Sequence, residues 1–174
     1  PNPDIDQLDT WINVFRQASI DSIIALGGGS VIDTAKALSI FLSPSCNVSI
    51  AAHLREGSQI ATTQALPILA APTTSGTGSE VTPFATIWDL ARLRKHSLAS
   101  QEIITYVALL DPVLTLGCPF DVTISSGLDA ISHAFESIWN HNASPITVIF
   151  ATQSLYLSLE ALSLLAQNQD NLDA

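Results

Sequence analysis

No methionine occurs in the 174 residues, so Pro1 is not an ordinary initiation residue, and the chain is expected to be a processed product or a piece of something longer. Charge is scarce as well: Asp, Glu, Lys and Arg make up 13% of the chain, and basic side chains number 6 against 16 acidic ones. The resulting net charge of -10 repels phosphate backbones and anionic lipid headgroups, which argues against nucleic-acid and membrane-surface partners. Two cysteines, Cys46 and Cys118, are too few for a disulfide framework or a four-thiolate zinc site, and read as small buried or half-buried thiols in a reducing compartment. No run reaches the ~18 uninterrupted apolar residues of a membrane span. The nearest, residues 146–166, is broken by Thr147, Thr152, Gln153, Ser154, Ser158, Glu160 and Ser163. No basic n-region and apolar h-region open the chain, so a cytoplasmic location is expected. Apolar residues are plentiful at 47%, which excludes intrinsic disorder and supplies a core.

The first two thirds alternate helical and extended patterns. Ile5, Leu8, Trp11, Ile12 and Phe15 recur at steps of three and four, predicting an amphipathic helix over 5–18. Residues 20–26 form a short apolar, β-branched run that stops at three glycines, as a buried strand would. Helical spacing returns over 31–42, and strands are expected at 66–71, 84–88 and 103–110. Strand, helix and strand in succession predict a parallel sheet covered by helices. From Asp121 to Ala166 glycine nearly vanishes, and Ile124, Leu128, Ile131, Phe135 and Ile138 share one helical stripe. Ser144 and Pro145 supply an N-cap and a first-turn proline for a second long helix, and no closing element is visible after it. An α/β part over 1–119 and a helical part over 120–174 follow from this change in pattern.

Three segments carry chemistry. Gly27-Gly28-Gly29-Ser30-Val31-Ile32-Asp33 lies between a strand and a helix. Its glycines admit a ligand close to the backbone, Ser30 is placed to cap the helix, and Asp33 completes a capping-box-like pair. The free N–H groups and partial positive charge of that helix start suit a pyrophosphate. The spacing matches neither G-x-G-x-x-G nor a P-loop, and taken alone the turn is equally a well-capped helix start without a ligand. Pro72 to Thr82 carries six hydroxyl side chains and two glycines in eleven residues after an expected strand, at the sheet edge where ligands bind. On its own composition it is an ordinary surface loop. Asp129 and His133, four apart, share one helix face as two ligands of one metal require, and an exposed hydrogen-bonded pair has the same spacing. Glu136 follows as an outer-sphere group or a surface charge, while His53, His96 and His141 read as surface or loop residues.

In order, Gly27-Gly28-Gly29-Ser30-x-x-Asp33-x-Ala35-Lys36, the Pro72–Thr82 segment, Leu110-Asp111-Pro112 and Gly127-Leu128-Asp129-Ala130-x-x-His133-Ala134-x-Glu136 resemble the iron-containing (group III) alcohol dehydrogenases. The resemblance runs over nearly the whole chain. It implies an α/β fold, with a parallel-sheet, Rossmann-like dinucleotide-binding part followed by the start of an all-helical metal-binding domain. Gly28, Gly29, Ser30 and Asp33 would contact the pyrophosphate and neighbouring ribose, Thr73, Thr74, Thr77 and Thr82 would line the cofactor cleft, and Lys95 would reach the nicotinamide ribose. Asp129 and His133 would be the first two of four ligands to Fe²⁺ or Zn²⁺, the glycine turn and this helical pair facing a shared cleft. The implied reaction transfers hydride between NAD or NADP and a small alcohol or aldehyde, in a homo-oligomeric parent protein. The family's two further histidine ligands and its first strand and helix are absent, so the chain by itself is expected to be an inactive fragment. Residues 82–89 and 136–140 are similar to the phosphonoacetaldehyde reductase (hydroxyethylphosphonate dehydrogenase) branch. Two alternatives stay open: a dehydroquinate-synthase-like or glycerol-1-phosphate-dehydrogenase-like enzyme, and a non-catalytic nucleotide-binding module.

Overall fold

In the computed structural model, residues 2–60 and 64–167 are described; Pro1 and the C-terminal stretch 168–174, for which no closing element is expected, lie outside them. The chain divides into two compact units, one of Pro1–Pro72 with Ser79–Leu110, the other of Thr73–Gly78 with Asp111–Ala174.

The first unit is α/β. Helix α1 (Ile5–Phe15) starts at Asp4, whose carboxylate accepts the Asp6 and Gln7 amides, and it buries Ile5, Leu8 and Ile12. It ends three residues sooner than its apolar spacing predicts, with Arg16 as C-cap. Strand β1 (Ile23–Gly27) leads into α2 (Gly29–Phe41), a short helix α3 (Ile50–Glu56) follows, and β2 (Ile68–Pro72) returns beside β1. Strands β1 and β2 pair in parallel from Ile23↔Ile68 to Gly27↔Pro72, and β5 (Val107–Ala108) adds to the far side of β2. Ala25, Ile68 and Ala70 from the sheet pack on Ile32 and Ala35 of α2. Small residues on both surfaces let the helix lie close to the strands.

The parallel sheet is smaller than expected. The run at 84–88 joins an antiparallel hairpin instead, β3 (Phe84–Asp89) with β4 (Arg94–Ala99), in register from Phe84↔Ala99 to Asp89↔Arg94. Of residues 103–110 only Val107 and Ala108 are extended in a ladder, Gln101–Ile103 being a 3₁₀ turn. A second core joins Ile5, Leu8 and Ile12 of α1 to Phe41 of α2, Ile50 of α3 and Ile87 and Leu98 of the hairpin.

The second unit is helical. Helix α4 (Phe120–Trp139) and helix α5 (Pro145–Leu165) pack where Gly127 lies against Leu162, a contact so close that a Cβ there would sit 2.7 Å from Leu162 Cδ2. Ser144 caps α5 by accepting the Thr147 amide at 3.1 Å, with Pro145 in the first turn. By length and composition alone α5 is apolar enough to cross a membrane, a test that the polar interruptions read from the sequence do not prevent it from passing. Two of those interruptions turn inward on their own helix: the Thr152 and Ser163 hydroxyls donate to the Val148 and Leu159 carbonyls.

Candidate functional site

The glycine turn forms where β1 hands the chain to α2. Gly27 needs to be glycine because Val31, one helical turn on, leaves no room: a Cβ would lie 2.6 Å from Val31 Cγ2. Gly28 is the N-cap of α2 and Gly29 its first residue, and no side chain caps the helix. This departs from the capping box expected of Ser30 and Asp33. The Ser30 hydroxyl turns instead to Asn2 Oδ1 at 3.4 Å. Asp33 is the fifth residue of α2, two positions beyond the one that reaches back in a capping box, and its carboxylate faces the hairpin. The first turn of α2 therefore has the partial positive charge of a helix N-terminus without a carboxylate folded over it.

Asp33 accepts the Ser79 hydroxyl at 2.6 Å on Oδ1 and the Thr86 amide at 2.8 Å on Oδ2. One turn further along α2, Lys36 is fully buried. Its Nζ donates to the Thr82 carbonyl at 2.7 Å, the Phe84 carbonyl at 2.8 Å and the Thr82 hydroxyl at 3.2 Å. Three oxygen acceptors account for the three protons of an ammonium. Burial pushes the Lys36 pKa down from its ordinary value, and the carboxylates of Asp33 and Glu80 oppose that shift. Sequence reasoning quoted Lys36 without giving it a part. The signal was available: Ile32, Lys36 and Ile40 follow one another at steps of four along the buried face of α2.

Thr73, Thr74 and Thr77 lie half-buried in the 73–78 segment, which follows the last residue of β2. Gly27 and Pro72 are register partners, so β1 and β2 end side by side. Within the helical unit the segment touches α4 at Gly76. A Cβ at that position, where φ is +136°, would fall 1.9 Å from the Ser126 carbonyl oxygen. Asp129 is three residues beyond that contact and His133 one turn further.

Asp129 Oδ1 and His133 Nε2 stand 3.8 Å apart, each side chain about half exposed. An oxygen and a nitrogen donor on adjacent turns of one rigid helix fit two corners of a divalent-cation site. Among the described residues no third His, Cys, Asp or Glu joins them in a group that could hold a metal. Glu136 accepts the Ser132 hydroxyl at 3.4 Å. No lysine or arginine follows Lys95 in the chain, while seven acidic residues do so from Asp111 onward. The potential around the helical unit is accordingly negative, which favours a cation at this pair.

Lys95 is exposed on β4 with Nζ 5.7 Å from the centre of the Trp88 ring, a cation–π contact within the hairpin. Two histidines depart from their surface or loop reading. His53 sits on α3, with Nδ1 2.7 Å from the Ser58 carbonyl and its ring against Phe41. His96 is in β4 with Nε2 closed off from solvent. Neither reading allowed for a seven-residue helix or a charged strand.

The sequence of residues 1–112 matches the family model described as iron-containing alcohol dehydrogenase. Residues 123–174 match the C-terminal model of the Fe-containing alcohol dehydrogenase family. The chain is 34% identical over 174 residues to the NAD-dependent methanol dehydrogenase of Bacillus methanolicus, covering 100% of this chain and 45% of that protein. It is 37% identical over 178 residues to an aldehyde-alcohol dehydrogenase of Streptococcus pneumoniae, covering 98% of this chain and 20% of that one. Among solved structures it resembles the sulfoacetaldehyde reductase from Bifidobacterium kashiwanohense in complex with NAD⁺, with TM-score 0.91 and 32% identity over 99% of this chain and 45% of that one. The chain thus spans less than half the length of each of these relatives. Because a single family model accounts for everything from the start of the chain through the glycine turn to Pro112, the chain belongs to the iron-containing alcohol dehydrogenase family.

Proposed function

We propose that the protein to which this chain belongs is an NAD(P)-dependent, metal-assisted dehydrogenase that moves a hydride between the dinucleotide and a small alcohol or aldehyde. The observation that carries this reading is the β1–Gly27-Gly28-Gly29–α2 turn, a backbone start with no side-chain cap, in a chain of this family. The dinucleotide pyrophosphate binds at Gly28, Gly29 and Ser30, where amides and the helix dipole replace water around the phosphate charge. Thr73, Thr74 and Thr77 offer hydroxyl groups from the neighbouring segment, and Lys95 supplies the cationic contact to the nicotinamide ribose. Support for NAD comes from the methanol dehydrogenase, named for it, and the reductase solved with it.

Asp129 and His133 are two of the ligands of a divalent ion, iron or zinc. When bound, such an ion polarises the substrate oxygen and lowers the pKa of an alcohol. The task of this chain's residues is positional. The α4 helix fixes the spacing of Asp129 Oδ1 and His133 Nε2, and the glycine turn anchors the cofactor. Within the family, an aldehyde carrying a tetrahedral anion, such as phosphonoacetaldehyde, is the finer substrate reading. It is supported by the local likeness of residues 82–89 and 136–140 to that branch and by the resemblance to a sulfoacetaldehyde reductase.

The test is NADH and NADPH oxidation by the complete gene product loaded with Fe²⁺ or Zn²⁺, with phosphonoacetaldehyde, sulfoacetaldehyde, acetaldehyde and butanal compared. Metal-dependent oxidation of NADH is expected, lost in Asp129→Ala and His133→Ala together with bound metal. The 174-residue chain alone is expected to show no turnover, since two donors do not complete a catalytic site. Failure of every aldehyde with both cofactors would overturn the dehydrogenase reading. Equal rates on phosphonoacetaldehyde and butanal would overturn the finer one.

A further inference from the structure

We propose that Asp33 and Lys36 are positioning residues, which lock the first turns of α2 to the Ser79–Thr86 segment and act on the dinucleotide through that backbone without touching it. The inference rests on the dinucleotide-binding reading above and departs from the resemblance, which has Asp33 and Thr82 meeting the cofactor directly.

The geometry is that of two clamps one turn apart. Asp33 holds Ser79 through its hydroxyl and Thr86 through its amide, at 2.6 and 2.8 Å. Lys36 holds the carbonyls of Thr82 and Phe84 and the Thr82 hydroxyl, at 2.7, 2.8 and 3.2 Å. Between them they grip the chain at four positions from 79 to 86. Each Asp33 carboxylate oxygen already accepts one bond, and Lys36 has all three protons committed and no exposed surface. Lys36 is thereby closed to a ligand, and Asp33 is turned toward the hairpin.

Core stability does not explain this arrangement. A buried ammonium carries a large desolvation cost, and apolar replacements for buried charges are often as stable or more so. Lys36 sits between Ile32 and Ile40 on the buried face of α2. What an apolar side chain lacks is direction. Two bonds to the Thr82 and Phe84 carbonyls and one to the Thr82 hydroxyl set where that stretch lies against α2, and therefore where Ser30, one helical turn before Asp33, faces. A shift of the order of 1 Å in such a support lowers a site's effectiveness by up to ~100-fold.

Ser79 gives the decisive experiment, because Ser79→Ala removes one of the two bonds that Asp33 accepts while leaving the Asp33 carboxylate in place. In the complete gene product, NADH dissociation constants would be measured by fluorescence for the wild type, Ser79→Ala, Asp33→Asn, the double variant and Lys36→Met. KM for the aldehyde, bound metal and melting temperature would be recorded for each. Positioning predicts that Ser79→Ala and Asp33→Asn each weaken NADH by about tenfold. The double variant is then no weaker than Asp33→Asn alone, while aldehyde KM and metal content stay within about twofold. Lys36→Met leaves the Thr82 and Phe84 carbonyls without a donor, so its melting temperature should fall together with NADH affinity, and the discrimination rests on the Ser79 and Asp33 variants. Wild-type affinity in Ser79→Ala alongside a loss in Asp33→Asn would mean direct contact and overturn the proposal. So would a loss that tracks melting temperature across the Ser79 and Asp33 variants. A wild-type protein that binds no NADH would overturn the dinucleotide reading and this inference with it.

Discussion

Asp89 has no exposed side-chain surface, and its carboxylate is met by Arg55 on both oxygens, Nε at 2.7 Å and a terminal nitrogen at 2.8 Å. Arg55 turns its other edge to Asp6, which is largely in solvent. The guanidinium of Arg55 holds Asp89 down to about 2 and lowers Asp6 too, in each case against desolvation that raises it. A carboxylate whose folded pKa is lower than its unfolded value contributes stability that is complete above pH ~4 and is lost as pH falls toward 2. The melting temperature of the wild-type chain is therefore expected to drop across that window. Asp89→Asn, already destabilised at neutral pH, should lose less over the same range, so that the two curves converge near pH 2. Parallel curves would show that the pair does not govern acid unfolding. Little of this was legible beforehand: Asp89 and Arg55 are 34 residues apart, and nothing in either neighbourhood marks one as the other's partner. Lys36 was more accessible to reasoning, since a lysine on an otherwise apolar helix stripe has to find oxygen atoms somewhere.

At the scale of elements, legibility followed periodicity. Helices α1, α2 and α4 repeat apolar residues at the helical period, β1 and β2 are short apolar runs closed by glycine or proline, and α5 is announced by Ser144 and Pro145, so the positions of all six were foreseen to within a few residues. Helix α3 has seven residues and buries only Ile50, too short a run for a period to register. Strand β4 reads Arg-Lys-His-Ser-Leu-Ala with Leu98 alone buried, so its membership depends on pairing with β3 and leaves no trace in its own alternation. The same hidden pairing is why β3 was assigned to the parallel sheet. In the helical unit the close approaches are marked by glycine, and one of them gives a sharp expectation. Gly76→Ala places a Cβ on the Ser126 carbonyl at an unfavourable φ and is expected to cost about 1–3 kcal/mol in urea unfolding. Gly117→Ala, where nothing lies near the added carbon, should stay within about 0.5 kcal/mol. Equal effects at the two sites would mean that the 73–78 segment does not rest on α4.

For the whole molecule the decisive feature is uncovered apolar surface. Ile24 and Leu26 point away from the face of β1 that α2 covers and are 77% and 60% exposed. Ile24, Leu69 and Val107 line up across the three parallel strands by register, forming an apolar row on a sheet type that is ordinarily covered on both faces. On α5, Ile149 and Phe150 are 67% and 71% exposed. Contiguous apolar surface of this kind drives association in water. The 174-residue chain produced alone should bind a hydrophobic dye such as ANS and sediment with concentration-dependent mass. Ile24→Lys with Leu26→Lys should reduce both signals. A monodisperse monomer that leaves the dye dark would contradict this account of the surface.

The chain contains only two lysines, and they occupy opposite extremes: Lys95 stands in solvent on the hairpin, whereas Lys36 has no accessible surface at all. Amine-acylating reagents should therefore modify Lys95 at once and reach Lys36 only when the α/β unit opens. The ratio of the two labels, read by mass spectrometry, becomes an intrinsic clock for that opening, with no foreign probe attached.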